Sequence, residues 1–306
     1  MTKIGRIFRR IALCGAFGSM ALTAPVRHVP ARPIENRIVA TISDTVKPLN
    51  ILVIDAFKKN HVRIDIDATP DIPHGVLVSK IIETGLPDAN VYKKSVTAGK
   101  DAQHSTDSVV GELFKEMREG KTYDAVNCST GNEITFPDLS AAMGTVINAE
   151  NIAKNAKKVK EFLRNCPDEI LNKYNSAQNI KSSMEYVNLL DSLSARGTKV
   201  YVSGGNDGSY SLNLLSLVDN SINVGSLNNR GERAFYSSNN SLVNRFEKDN
   251  IPVKKTKGGY TLDTGYGDAF ISRENTTSLL HVPSLRKLRG TSFASPRALV
   301  KDFRKK

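Results

Sequence analysis

Four residues, met along the chain in the order Asp55, His74, Asn206 and Ser292, are of the types that together do nucleophilic chemistry at a carbonyl carbon. A serine hydroxyl is a poor nucleophile until a histidine takes its proton. A carboxylate must in turn hold that imidazole in one tautomer and stabilise its cation. An amide side chain can then donate to the negative oxygen of the tetrahedral intermediate. Ser292 lies in Gly290-Thr291-Ser292-Phe293-Ala294-Ser295-Pro296, where small residues would let backbone and ligand approach closely at the start of a helix. The same string would also serve as a simple helix N-cap, so the partners upstream decide between the two readings.

These residues have to be held by particular elements. Asp55 directly follows Ile51-Leu52-Val53-Ile54, a continuous apolar run of the kind expected for a parallel strand buried on both faces, and open α/β sheets place their chemistry at the carboxyl ends of such strands. His74-Gly75 opens a predicted helix that turns Val78, Ile81 and Ile82 to the sheet and leaves His74 near its exposed N-terminal end. Residues 91–96 read as a second strand, Ser105 or Thr106 as the cap of a helix running to Met117 and closed by Gly120, and residues 123–128 as a strand entering Ser129-Thr130-Gly131. Residues 132–181, rich in Lys, Asn and Glu, read as a largely helical surface insertion. Residues 184–196 form a helix stopped by Gly197, and the strand 198–202 ends in Ser203-Gly204-Gly205-Asn206-Asp207-Gly208. That glycine cluster suits an ordinary turn, or a backbone that approaches a bound chain while the asparagine amide meets developing charge. A strand at 221–225 leads to residues 234–238, and 241–287 show no clear period. The alternation predicts an α/β fold, a doubly wound and mainly parallel sheet with helices on both faces.

Composition narrows the partners. The chain has 306 residues and a formal charge of +12, but its basic residues are scattered, clustering only at 154–160, 254–257 and the C-terminus. No stacking-aromatic motif accompanies them, so solvated faces are expected and a nucleic-acid partner is not. Lys3, Arg6, Arg9 and Arg10 precede the apolar run 11–22, a signal-like segment over 1–21 that implies a secreted or periplasmic protein. The run is too short for a transmembrane span. Residues 22–48 read as an extended lead-in and 49–306 as one domain. Beyond Cys14, only Cys128 and Cys166 remain, too few for a disulfide framework, and Cys128 is expected to be a buried small residue. Asp65, Asp67 and Asp71 could meet a cation, but their spacing fits no calcium loop, so neither a metal nor any other cofactor is expected.

The order Asp, His, Ser is that of subtilisin, and several motifs carry a resemblance to the subtilisin-like serine proteases, or subtilases. Val53-Ile54-Asp55 resembles the family's aspartate motif, His74-Gly75 with Val78 its histidine motif, residues 203–208 its oxyanion asparagine motif, and residues 290–296 its nucleophile motif. Residues 125–131 resemble the strand that pairs with substrate backbone. Residues 223–226 and 234–238 resemble the strand and loop after the asparagine. The resemblance implies a monomeric serine endopeptidase working through an acyl-enzyme. Asp55, His74 and Ser292 would form the triad and Asn206 the oxyanion donor, while Ser129, Thr130, Gly131, Ser203, Gly204 and Gly205 would hold an extended peptide or protein substrate. Departures are Ala56-Phe57, where the family has a small hydroxyl residue and glycine, and Val76-Leu77 in place of Thr-His. The chain also leaves no room for a pro-domain after the signal and stops ten residues beyond Pro296. The alternative implied by that early stop is an inert binding protein of the same shape.

Overall fold

The computed structural model describes residues 47–57, 72–96, 102–174, 176–272 and 285–304, all within one compact unit, Lys47–Lys306. The signal-like segment, most of the lead-in, Cys14 and the acidic residues Asp65, Asp67 and Asp71 lie outside the described residues. The chain runs β1 (Asn50–Asp55), α1 (His74–Gly85), β2 (Asn90–Ser95), α2 (Ala102–Arg118) and β3 (Ala125–Cys128). Then come β4 (Glu133–Thr135), α3 (Phe136–Met143), α4 (Ile152–Asn165), α5 (Asp168–Leu171) and α6 (Ala177–Ala195). The second half is mostly strand: β5 (Lys199–Ser203), β6 (Ser211–Asn213), β7 (Ile222–Leu227), β8 (Arg245–Lys248), β9 (Ile251–Thr256), β10 (Gly259–Asp263), β11 (Asp268–Ser272) and β12 (Leu285–Leu288), before α7 (Thr291–Arg304).

Six strands form a parallel sheet in the order β2-β1-β3-β5-β7-β8. The chain leaves β1 for the edge strand β2 and then crosses back to β3, so a topological switch point opens between β1 and β3. Open α/β sheets bind ligands at such a point. The apolar run of β1 is explained by parity: Leu52 and Ile54 enter one core with α2 and α6, while Ile51 and Val53 enter the other with α1 and α7. The same parity sends Asp55 toward α1 and α7. On β3, Ala125 faces that side too, followed at two-residue steps by Asn127 and, just past the end of the strand, Ser129.

Three sequence expectations change. The helix expected to begin at Ser105 or Thr106 starts at Ala102, so those hydroxyl residues lie inside it. The good helix formers Ala102 and Gln103 carry the helix past the predicted cap. Residues 132–181 are largely helical but are not merely a surface: Leu139, Ile152, Val159, Leu163 and Leu171 are buried in the core over the sheet, and β4 pairs with β6. Even Lys160 of the basic cluster is buried, its ammonium held by Asp191 at 2.9 Å and Asp219 at 2.8 Å. The unassigned stretch 241–287 contains β8 and three of the four strands of an antiparallel sheet, β11-β10-β9-β12, whose Val253, Tyr260, Leu262, Ala269 and Ile271 are buried beside α1 and α7. Each strand is only four to six residues long, too short for its period of two to stand out. No helix among the described residues is long and apolar enough to cross a membrane.

Candidate active site

Asp55 ends β1 and is fully buried. Its Oδ1 accepts from the Ala56 amide at 2.6 Å and from His74 Nδ1 at 2.7 Å. A carboxylate at Nδ1 selects the tautomer with the proton on Nδ1, which leaves the lone pair on Nε2. His74, expected near an exposed helix end, is buried, because Asp55 lies on one side and the Phe293 ring on another, with ring centroids 5.4 Å apart. The Gly75 amide donates to Ala56 O at 2.8 Å, which pins the start of α1 to the loop after β1. A Cβ at position 75 would stand 2.9 Å from the Phe57 ring, so the Ala56-Phe57 departure and Gly75 fit together. Glycine leaves the space that the aromatic ring fills.

Ser292 is buried in the first turn of α7. Pro296 lies inside the same helix and has no amide hydrogen, so the carbonyl four residues earlier, that of Ser292, loses its helical donor. Ser129 Oγ supplies the missing bond at 2.9 Å. Ser129 Oγ in turn accepts from Asn127 Nδ2 at 2.9 Å, and Asn127 Oδ1 accepts from Ser295 Oγ at 2.8 Å. The parity of β3 thus builds a polar clamp around the serine helix, using Asn127 and Ser295, which carry no signal of their own in the sequence beyond their place in a strand and a motif.

Asn206 grips the other side of the helix start. Its Oδ1 accepts from the Thr291 amide at 3.0 Å and from Thr291 Oγ1 at 3.1 Å, and Thr291 Oγ1 accepts from the Gly205 amide at 3.3 Å. Two donors on one amide oxygen fix which end of the Asn206 side chain is which, so Nδ2 is turned away from Thr291. Gly205 takes φ +102°, and a Cβ there would come within 2.8 Å of Glu133 Oε1. Glu133 receives the Asn206 amide at 3.4 Å and Ser211 Oγ at 2.7 Å. Burial, reinforced by a hydrogen bond with Asp207, pushes the Glu133 carboxyl up to about 7.

The remaining predicted residues are placed less openly. Gly131 stands so close to Asn213 that a Cβ would lie 2.2 Å from its Oδ1. Thr130 Oγ1 is 3.9 Å from Cys128 Sγ, and burial pushes that thiol up to about 12. The Gly204 amide donates to Val224 O at 2.8 Å and Ser203 O accepts from Asn213 Nδ2 at 2.8 Å, so 203–205 is bonded largely within the protein. Among the described residues, no three His, Cys, Asp or Glu side chains gather as a metal ion would require.

A family model described as "Subtilase family" matches residues 68–298, and the chain belongs to that family, one of serine proteases. Among curated proteins none matches the sequence. Solved structures similar to this chain include a lanthipeptide protease, at 13% identity and TM-score 0.46, covering 82% of this chain and 72% of that one. The prenylagaramide maturation protease PagA is similar at 15% identity and TM-score 0.43, covering 82% and 72%. A cold-adapted subtilisin-like serine proteinase is similar at 12% identity and TM-score 0.39, covering 84% and 76%.

Proposed function

We propose that the protein is a serine endopeptidase that cleaves peptide bonds through an acyl-enzyme. The reading rests on one observation above the rest: the Asp55–His74 bond of 2.7 Å stands beside a helix start whose Thr291 is clamped by Asn206 and whose Phe293 packs on the imidazole. Ser292 Oγ attacks the carbonyl carbon as His74 Nε2 takes its proton, and Asp55 holds the imidazolium that forms. The developing oxyanion is met by Asn206 Nδ2 and the Ser292 amide. His74 then gives its proton to the leaving amine, and water repeats the sequence in reverse to free the acyl group. The acyl half of the substrate lies along Ser129, Thr130 and Gly131 as an added strand, with Ser203, Gly204 and Gly205 forming a wall on its other side.

An active-site phosphonate tests this directly. Native protein is expected to become labelled at Ser292, and Ser292→Ala to lose labelling and about a millionfold in kcat, the scale known for the nucleophile of subtilisin itself. Full peptidase activity in Ser292→Ala, or no reaction of native protein at Ser292, overturns the mechanism.

A further inference from the structure

A cleft of about 350 Å³ lies beside the nucleophile helix, outside the residues assigned above, and its lining includes Arg230, Arg233, Arg289, Phe235 and Tyr236. Its floor is tied to the serine. Asp249, almost wholly buried, accepts the Tyr236 hydroxyl, and its Oδ2 also accepts the Gly290 amide at 3.0 Å, two residues before Ser292. The Tyr236 carbonyl accepts the Gly208 amide at 2.9 Å, which joins the cleft to the loop that carries Asn206. The cleft is therefore rigidly registered to the proposed reaction centre.

The lining is strongly cationic. Arg230, Arg233 and Arg289 are exposed, and none has a carboxylate partner among the described residues. Asp249 is the one acid in the lining, and it faces Tyr236 and Gly290. The loop that presents two of the arginines is built: Asn228 Oδ1 accepts the Arg230 amide at 2.8 Å and the Glu232 amide at 3.1 Å, while Asn228 Nδ2 engages the Glu232 carboxylate at 3.0 Å. The loop thus satisfies its own carboxylate with an amide donor, so that neither guanidinium is spent on it. Phe235, 92% exposed, stands edge-on to Tyr236 with centroids 5.2 Å apart and offers an apolar side to the cleft.

Guanidiniums with no carboxylate partner among the described residues, set around a concave site with an aromatic wall, suit a carboxylate on a short aliphatic stem, which arginine binds in a bidentate fork. We infer that the cleft binds an acidic residue of the peptide substrate on the leaving-group side of the cleaved bond. This rests on the proposed peptidase function, with the acyl half lying along 129–131 and the chain leaving Ser292 past Gly290. It adds a specificity that the triad does not determine.

The test compares kcat/KM for peptides carrying Glu or Gln at successive positions after the cleaved bond. Glu is expected to be preferred by about tenfold at one of these positions, the size of one charge-assisted contact, with the preference shrinking at high salt. In Arg230→Glu/Arg233→Glu the preference should vanish or pass to Lys, while the Gln peptide is cleaved within about twofold of the native rate. A Glu-to-Gln ratio near one at every position, or a ratio unchanged in the double variant, overturns the inference. A Glu-rich octapeptide and its Gln counterpart are also titrated into Ser292→Ala protein. Glu-selective binding that is lost in the double-arginine background supports the cleft even if native protein cleaves nothing, in which case the peptidase reading alone has failed. Equal binding of the two peptides overturns the cleft.

Discussion

Asn206 has two duties that a single substitution can separate. Its Oδ1 caps Thr291 through bonds of 3.0 and 3.1 Å, and its Nδ2 is the proposed donor to the oxyanion. Asn206→Asp keeps an oxygen for Thr291 and removes the donor at neutral pH. We expect kcat to fall about 100- to 1000-fold, the range known for one oxyanion donor in subtilisin, with little change in Tm. Steady-state kinetics and thermal melts on the same preparation check both halves, and a kcat within tenfold of native removes Asn206 from the mechanism. Glu133 sets a pH dependence behind the same loop. Its carboxyl is pushed up to about 7 from the usual 4.5, by burial first and the bond to Asp207 second. Between those values the folded chain keeps a proton that the unfolded chain has lost, so the stability from this group is full below about 4.5 and drains away as pH rises through about 7. The Tm of native protein relative to Glu133→Gln should therefore decline across that window, and a difference independent of pH would show that the proton is not held there. Cys128, buried with its thiol pushed up to about 12, should resist alkylation until the protein unfolds.

At the scale of elements, the decisive unit is α7 against β3. Pro296 removes a helical donor and Ser129 Oγ replaces it at 2.9 Å, both within the buried interior. Ser129→Ala leaves the Ser292 carbonyl without a donor and should cost about 1–3 kcal/mol. In a Pro296→Ala background the helix regains its own amide, and the same Ser129→Ala change should cost less, the remainder being the acceptor that Asn127 Nδ2 loses in both backgrounds. Chemical denaturation of the four proteins closes this cycle. Equal costs in the two backgrounds would mean that Ser129 does not substitute for the missing amide. The β-strands taught a different lesson. Parity along β1 and β3 places Asp55, Asn127 and, just past the end of β3, Ser129 on the face toward α1 and α7, and of this the apolar run marked Asp55 in the sequence while Asn127 carried no signal of its own. The short strands β9–β11 were not legible, because segments of five or six residues mix buried Val253, Leu262 and Ile271 with lysines and glycines that equally suit loops.

Across the whole molecule, α7 is held from three sides. The parallel sheet meets it through Tyr201, whose hydroxyl donates to Asp302 at 2.7 Å, and α1 packs so closely that a Cβ at Gly85 would lie 2.4 Å from Val300. The third contact is Arg297, a nearly buried guanidinium that donates from Nε and Nη2 to Thr264 O at 3.1 and 2.9 Å and from Nη1 to Lys248 O at 3.1 Å. Burial lowers its pKa, and its donors are paired with the backbone carbonyls of Thr264 and Lys248. Arg297→Met should cost about 2–4 kcal/mol and lower Tm by several degrees, at about 2–4 °C per kcal/mol for a chain of this size. A Tm within a degree of native would show that the bonds to Thr264 and Lys248 are dispensable.

The sequence alone determined what local chemistry can encode: an apolar run closed by Asp55, a helix opening at His74, a glycine-rich turn holding Asn206, a small-residue helix start around Ser292, and from these the parallel α/β class. Those signals live in windows of a few residues, where strand parity, helical period and capping act. Tertiary structure alone decided how the helix that carries Ser292 is held. Ser129 meets Ser292 across 163 residues, Ser295 meets Asn127 across 168, and Thr291 meets Asn206 across 85. The burial of His74, the acid pair behind Asn206 and the arginine cleft behind Gly290 are of the same kind. None has a periodic or compositional mark, because each exists only where separate strands and loops converge at one end of the sheet.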